Sequence, residues 1–353
     1  MSRNFIKKFV GVSFLVMTLF ILTVYTAVAQ RQLLFGYSAP GLGDEGQQNI
    51  QGGFVEKCEE LGIRVITTNA ERNAAKQVSD VEDLIARGVD AICAVPFDSK
   101  VISIAVKKAN QAGIPFFTID RGVAEGRLTL TVLADNYKAG QAAGEVMVRL
   151  LQGKYNGIAR GKVLEIEGQP GQDVARLRGD GFKSVIKNYP DIELISKPGN
   201  WDPKRGFEIT QDVFVAHPDI DGIYYHADLY IPGIVEGIKA TKGKFSKVGE
   251  KGHIFILGID GNPMGLANIR EGLADGVMVQ PLRDYGYVIV PIIKNYLEKG
   301  EVALPKPGVI QAEGITSYVV ETPGGLQIKM ETFYADHHNA ADPNLWGNRA
   351  FRK

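Results

Sequence analysis

Asp120 and Arg121 stand side by side directly after the apolar run Ile114-Pro-Phe-Phe-Thr-Ile119. A strand covered on both faces shows such a continuous run rather than clean alternation, so the pair is expected at a strand's carboxyl end. In an open parallel α/β sheet, that edge is where small molecules bind. A carboxylate beside a guanidinium accepts and donates charge-assisted hydrogen bonds, which suits a ligand rich in hydroxyl groups. The competing reading is a surface ion pair that closes a loop and does nothing more.

Other residues repeat the placement. Asp260, in Ile259-Asp-Gly-Asn-Pro263, ends an apolar run before a helical stretch, where an Asp also serves as a simple cap. Gln280 ends the next run and precedes Pro281. Arg176 lies in the first turns of a helix opened by Gly168-Gln-Pro-Gly-Gln-Asp173, and helix N-termini favour oxygen-rich groups. The alternative there is that Arg176 and Arg178 solvate an exposed helix face. Trp201, in Asn200-Trp-Asp-Pro203, is one of two tryptophans, and an aromatic face suits the C–H face of a sugar ring.

Gly41-Leu-Gly-Asp-Glu-Gly46 matches the G-x-G-x-x-G dinucleotide fingerprint. Ala39-Pro40 delays the first glycine, Asp44 and Glu45 would set negative charge beside phosphates, and no acid ends the second strand at Asn69. A ligand loop that includes Asp44 is expected instead, and no cofactor. The enzyme reading rests on that glycine match alone, so the chain reads as a binder. Asp336, His337 and His338 are adjacent but lack the spacing of a zinc site, so no metal is expected.

Such positions need elements that alternate. The sequence predicts strands at 33–38, 64–68, 91–95 and 115–119, with helices at 48–61, 74–87 and 99–111 between them. Gly62, Gly88 and Gly113 stop those helices. After Asp135 the rhythm restarts: helices at 138–151, 174–188, 204–216, 231–240, 263–273 and 285–299 alternate with strands at 162–166, 192–196, 222–225, 254–259 and 276–279. Strands separated by helices imply βαβ units, hence an α/β fold whose parallel sheets carry helices on both faces. Two halves of similar size meet near Ala134-Asp-Asn136. Residues 304–308 and 334–353 read as surface segments or a mobile tail.

A length of 353 residues suits two domains, and 45 % hydrophobic with 23 % charged residues is ordinary for a globular chain. Arg3, Lys7 and Lys8 precede an apolar run at 9–25 that ends at Ala27-Val-Ala29, the pattern of a signal peptide cleaved after Ala29. The competing reading is an uncleaved membrane anchor. Without residues 1–29, 37 basic side chains face 40 acidic ones, which leaves no footprint for nucleic acid. Cys58 and Cys93 are too few for a disulfide scaffold and are expected as buried, inert thiols. A bridge between them stays open in an oxidising compartment.

Thr118-Ile-Asp-Arg121, Ala134-Asp-Asn136, Ala175-Arg-Leu-Arg-Gly-Asp-Gly-Phe182, Ala216-His-Pro-Asp219, Gly258-Ile-Asp-Gly261 and Val279-Gln280 occur in that order. In this series the chain resembles the ribose-binding family of type I periplasmic sugar-binding proteins of ABC transporters, from about Leu33 to about Tyr318. The resemblance implies two Rossmann-like lobes joined by a three-stranded hinge. It places 31–134 and 281–312 in the N-terminal lobe and 135–280 and 313–333 in the C-terminal lobe, with 334–353 a polar tail of no assigned role. Closure is expected about 134–136, 280–281 and a third crossing near 311–316.

The ligand residues it implies are Asp120, Arg121, Arg176, Trp201, Asp260 and Gln280. Val95 and Ala227 stand where a family member has asparagines, and the first loop lacks that member's two stacking phenylalanines. Neither Val nor Ala can hydrogen-bond through its side chain, so the expected ligand is a small sugar or polyol other than ribose, with an apolar edge toward them. The resemblance further implies a periplasmic monomer that delivers its ligand to an ABC permease. A chemoreceptor or sensor kinase is the alternative recipient, and no nucleic-acid partner is expected.

Overall fold

Runs such as Ala91-Ile-Cys-Ala94 and Phe116-Phe-Thr-Ile119 are buried at every position, as inner strands covered on both faces must be. The computed structural model describes residues 31–43 and 45–349. The expected signal peptide at 1–29 and the loop residue Asp44 lie outside the described residues.

The first half holds β1 (Leu34–Ala39), α1 (Glu45–Glu60), β2 (Arg64–Asn69), α2 (Ala74–Ala86), β3 (Ala91–Ala94), α3 (Ser103–Gln111), β4 (Phe116–Ile119) and β5 (Leu130–Ala134). There follow α4 (Asn136–Lys154), β6 (Gly161–Glu167), α5 (Asp173–Ile186), β7 (Ile192–Pro198), α6 (Pro203–Ala216), β8 (Ile220–Tyr225), α7 (Ile231–Lys242), β9 (Phe255–Asp260), α8 (Pro263–Arg270) and β10 (Gly276–Val279). The last part is α9 (Asp284–Lys299), β11 (Gly308–Ala312), β12 (Ile315–Thr322), β13 (Gly325–Met330) and β14 (Phe333–Ala335).

Among the described residues these strands form two sheets, ordered β11-β12-β13-β5-β4-β3-β1-β2 and β14-β10-β9-β8-β6-β7. Strands β1 to β5 and β13 pair in parallel, as do β6 to β10. The added strands β11, β12 and β14 run antiparallel to their neighbours. The chain passes between sheets after Ala134, after Val279 and between Met330 and Phe333. The Asp135 N–H donates to the Met330 carbonyl at 2.8 Å, which ties the first passage to the third.

Two sequence expectations need correction here. Residues 315–330 were expected in the second lobe, but they form β12 and β13 of the first sheet. The physical reason is a tight hairpin. Glu313 and Gly314 lie between paired Ala312 and Ile315, at φ 51° and 77°, the two left-handed residues of a type I′ turn. The third passage between sheets therefore falls at 331–332, not at 311–316. Residues 334–349 form a folded extension, not a mobile tail. β14 lengthens the second sheet, and Arg270 Nη1 donates to the Ala340 carbonyl at 2.8 Å and to Asn348 Oδ1 at 3.1 Å.

Cys58 and Cys93 are buried and unbridged. Burial pushes the Cys58 thiol up to about 12 and the Cys93 thiol well above its ordinary value. No helix among the described residues is long and apolar enough to cross a membrane.

Helices α4 and α5 cross with their backbones nearly touching. A Cβ on Gly140 would stand 2.2 Å from the Arg178 carbonyl oxygen, and one on Gly181 2.1 Å from that of Tyr137. This approach brings Arg178 Nε to 2.8 Å from Asn136 Oδ1. Gly140→Ala would gain up to about 1 kcal/mol of helix propensity. Overpacking against a backbone that cannot step aside should cost about 1–3 kcal/mol, so the expected result is a net loss of stability. Urea unfolding measures it as a lower midpoint at unchanged slope; an unchanged or higher midpoint would count against this packing.

Candidate ligand-binding site

A cavity of about 430 Å³ lies between the two sheets, lined by the loops at the carboxyl ends of their parallel strands. That volume suits a small molecule. Asp120 and Arg121, after β4, contribute from the first sheet. Asp120 sits at φ 66°, a left-handed conformation that Asp tolerates better than most residues. Its Oδ2 lies 3.3 Å from Arg121 Nε. Arg121 Nη1 donates to the Pro96 carbonyl at 3.3 Å, while Nε is buried without a hydrogen bond among the described residues. Phe97, after β3, adds an aromatic wall; its N–H donates to buried Gln77 Oε1 at 2.8 Å, which fixes the loop.

The second sheet contributes a denser polar set. Arg178 is about 5 % exposed; its Nε donates to Asn136, its Nη1 to the His226 carbonyl, and Nη1 lies 3.4 Å from Asp260 Oδ1. Gln280 Nε2 donates to the same Asp260 oxygen at 2.6 Å. The Asp260 loop is itself held from below, because Asp228 Oδ2 accepts the Gly261 and Asn262 N–H groups, each at 2.8 Å. Burial, with the Asp260 charge adding, pushes the Asp228 carboxyl well above the usual range despite those donors. Trp201 stands at φ 54° against Gly168, where a Cβ would come within 2.0 Å of the indole. Its Nε1 donates to Gln172 Oε1 at 2.7 Å.

Behind this wall lies a buried histidine. Gly168 N–H donates to His226 Nδ1 at 3.1 Å, and Nε2 lies 3.0 Å from Glu165 Oε1, which fixes a neutral ring protonated at Nε2. Burial lowers the His226 pKa, and the Glu165 contact opposes without winning. Burial acts to raise Glu165, but its bonds to His226 and Ser196 and the nearby Lys183 leave it lowered. The unfolded ring takes up a proton near 6.5 while the folded ring resists, so the unfolded state binds more protons in that window. His226 therefore contributes stability above about pH 6.5 that is lost as pH falls through the folded value. The stability advantage of the wild type over His226→Gln should shrink from about pH 7.5 to about pH 5 in denaturant titrations. An advantage that grows on acidification would contradict the neutral ring.

Of the sequence-predicted residues, the structure brings Asp120, Arg121, Trp201, Asp260, Gln280 and Ala227 to the cavity. Arg176 is not among them. It is 57 % exposed and pairs with Asp173 and Asp180, each at 3.1 Å, on the outer face of α5. Arg178 takes the inner face because positions 175, 178, 179 and 182 share one side of the helix. Val95 is corrected too. It is fully buried, with its N–H on the Ser38 carbonyl and its own carbonyl on Gln77, so Phe97 faces the cavity instead. Gly41, Gly43 and Gly46 lie on the cavity rim. Sequence reasoning also missed Trp346, which the C-terminal extension places in the lining. A tryptophan inside a polar tail was the available signal.

Residues 35–301 match the family model described as the periplasmic binding protein domain. A ribose import binding protein from Bacillus subtilis is 32 % identical over 253 residues, which cover 71 % of this chain and 77 % of that protein. The chain belongs to the ribose-binding family of periplasmic sugar-binding proteins. Two solved structures share its fold. One is an ABC transporter periplasmic solute-binding protein from Actinobacillus succinogenes with bound D-allose, at TM-score 0.72 and 22 % identity, covering 88 % of this chain and 100 % of that one. The other is the fructose-binding periplasmic domain of a hybrid two-component system, at TM-score 0.72 and 24 % identity, covering 88 % and 92 %. In this family member, the two sheets are the two lobes of the type I fold, and the strand-end cavity lies between them.

Proposed function

We propose that this protein captures a small sugar or polyol in the cavity between its lobes and, after export, delivers it to an ABC permease. The observation that carries the reading is the lining itself. Charged pairs from both sheets, Asp120 with Arg121 and Asp260 with Arg178, share one small cavity with two indoles. The first group suits hydroxyls and the second suits the C–H face of a ring. This arrangement supports binding rather than catalysis. A ligand that touches both lobes favours the closed form, with bending at 134–136, 280–281 and 331–332. Sensing is a second reading, favoured by the likeness to the periplasmic domain of a two-component system.

A thermal-shift screen with D-ribose, D-xylose, D-allose and myo-inositol tests the ligand class. A ligand at about a hundred times its Kd stabilises the native state by about 2.7 kcal/mol, an upward shift of several degrees. No shift with any of them in a folded sample counts against the reading. A pull-down on the permease, compared with one on a sensor kinase, separates the two recipients.

A further inference from the structure

The matched family domain ends at residue 301, yet Trp346 from the later extension lines the cavity. The extension is pressed onto the Asp260 loop: a Cβ on Gly347 would stand 2.3 Å from the Gly261 carbonyl oxygen. Arg349 Nη1 lies 3.3 Å from Asp284 Oδ1 at the start of α9, which holds the far side. Trp346 is nearly buried, at 3 % exposure as a residue, and its Nε1 donates to the Asp260 carbonyl at 3.0 Å. With that donor used inside the protein, the ring offers the cavity carbon and hydrogen only. Trp201 is in the same condition, its N–H spent on Gln172. Two indoles from distant parts of the chain thus supply apolar ring surface beside the charged pairs.

We infer that the C-terminal extension is a selectivity element of the cavity, with Trp346 a ligand-contacting wall for the apolar face of a polyhydroxylated ring. The inference rests on the sugar-binding reading above. It also supplies aromatic surface that the loop after β1 lacks.

Calorimetric titration of the full-length mature protein with D-ribose, D-xylose, D-allose and myo-inositol tests it. Trp346→Ala should weaken the tightest of these by about tenfold or more, since aromatic contact adds to the area buried. Trp346→Phe loses the bond to Asp260 but keeps ring surface, and should stay within about threefold of wild type. Circular dichroism checks folding; where Trp346→Ala does not fold, Trp346→Leu carries the same tenfold expectation. Near-native affinity in a folded Ala or Leu variant overturns the wall and leaves the sugar-binding reading standing. So does a Phe variant as weak as Ala, which would make the bond to Asp260 the relevant feature. A wild-type protein that binds none of the four overturns both.

Discussion

Arg178→Ala should lower affinity for the cognate sugar by about thirty-fold to several thousand-fold, whereas Arg176→Ala should leave it unchanged. The two arginines stand two positions apart on α5 and differ in almost every physical respect. Arg178 is buried and holds the Asn136 amide, the His226 carbonyl and the Asp260 carboxylate at one point. Its removal deprives all three of a donor inside a cavity that the proposed closure would shut to water. Truncating a buried, hydrogen-bonded charge costs about 2–5 kcal/mol in affinity, which is the stated range at about 1.4 kcal/mol per tenfold. The folded state should also weaken, because breaking a buried pair costs about 3–5 kcal/mol. Among the described residues Arg176 makes only exposed pairs within its own helix, contacts worth about 0–1 kcal/mol. Calorimetry on both variants below their melting transitions decides. The reverse pattern would show that the inner face of α5 has been misassigned.

Asp120→Asn should fold as the wild type does and bind about thirty-fold or more weakly. Asparagine tolerates the left-handed backbone that Asp120 adopts at φ 66°, so the loop after β4 keeps its course. What disappears is the charge facing Arg121 Nε, in a side chain that is only 6 % exposed as a residue. Arg121 then enters the closed cavity without its carboxylate, again at about 2–5 kcal/mol. Asp120→Ala would add about 1–2 kcal/mol of backbone strain and confuse binding with folding. A melting transition within a degree or two of wild type, with lost affinity, is the expected pair of results. Native affinity in Asp120→Asn would remove the pair from the site.

Much of this was legible because strand ends declare themselves. Apolar runs that stop at Asp120, Asp260 and Gln280 place those residues at the carboxyl edge before any coordinate is known. The inward-facing arginine was legible as well, from helical period alone: 175, 178, 179 and 182 fall on one face, with exposed 173, 176 and 180 on the other. Position-by-position likeness points to Arg176, whereas the helical period puts Arg178 on the face that meets the cavity. Val95 misled for a related reason, since a residue can occupy a ligand-loop position and still turn inward. The Glu313-Gly314 turn redirects two strands to the first sheet, and Glu in place of the usual Asn or Asp before the Gly hides it from a sequence reading. Trp346 is different. Its place depends on the edge strand β14, on Arg270 and on Gly347 packing against a loop 86 residues away from it in the chain at Asp260, contacts that no local pattern encodes.

The most direct measurement is a crystal structure of the protein with the tightest-binding sugar from the panel. The ligand should lie between the lobes, with hydroxyls bonded to Asp120 or Arg121 on one side and to Arg178 or Asp260 on the other. Ligand held by one lobe alone, or bound outside this cavity, would contradict the account.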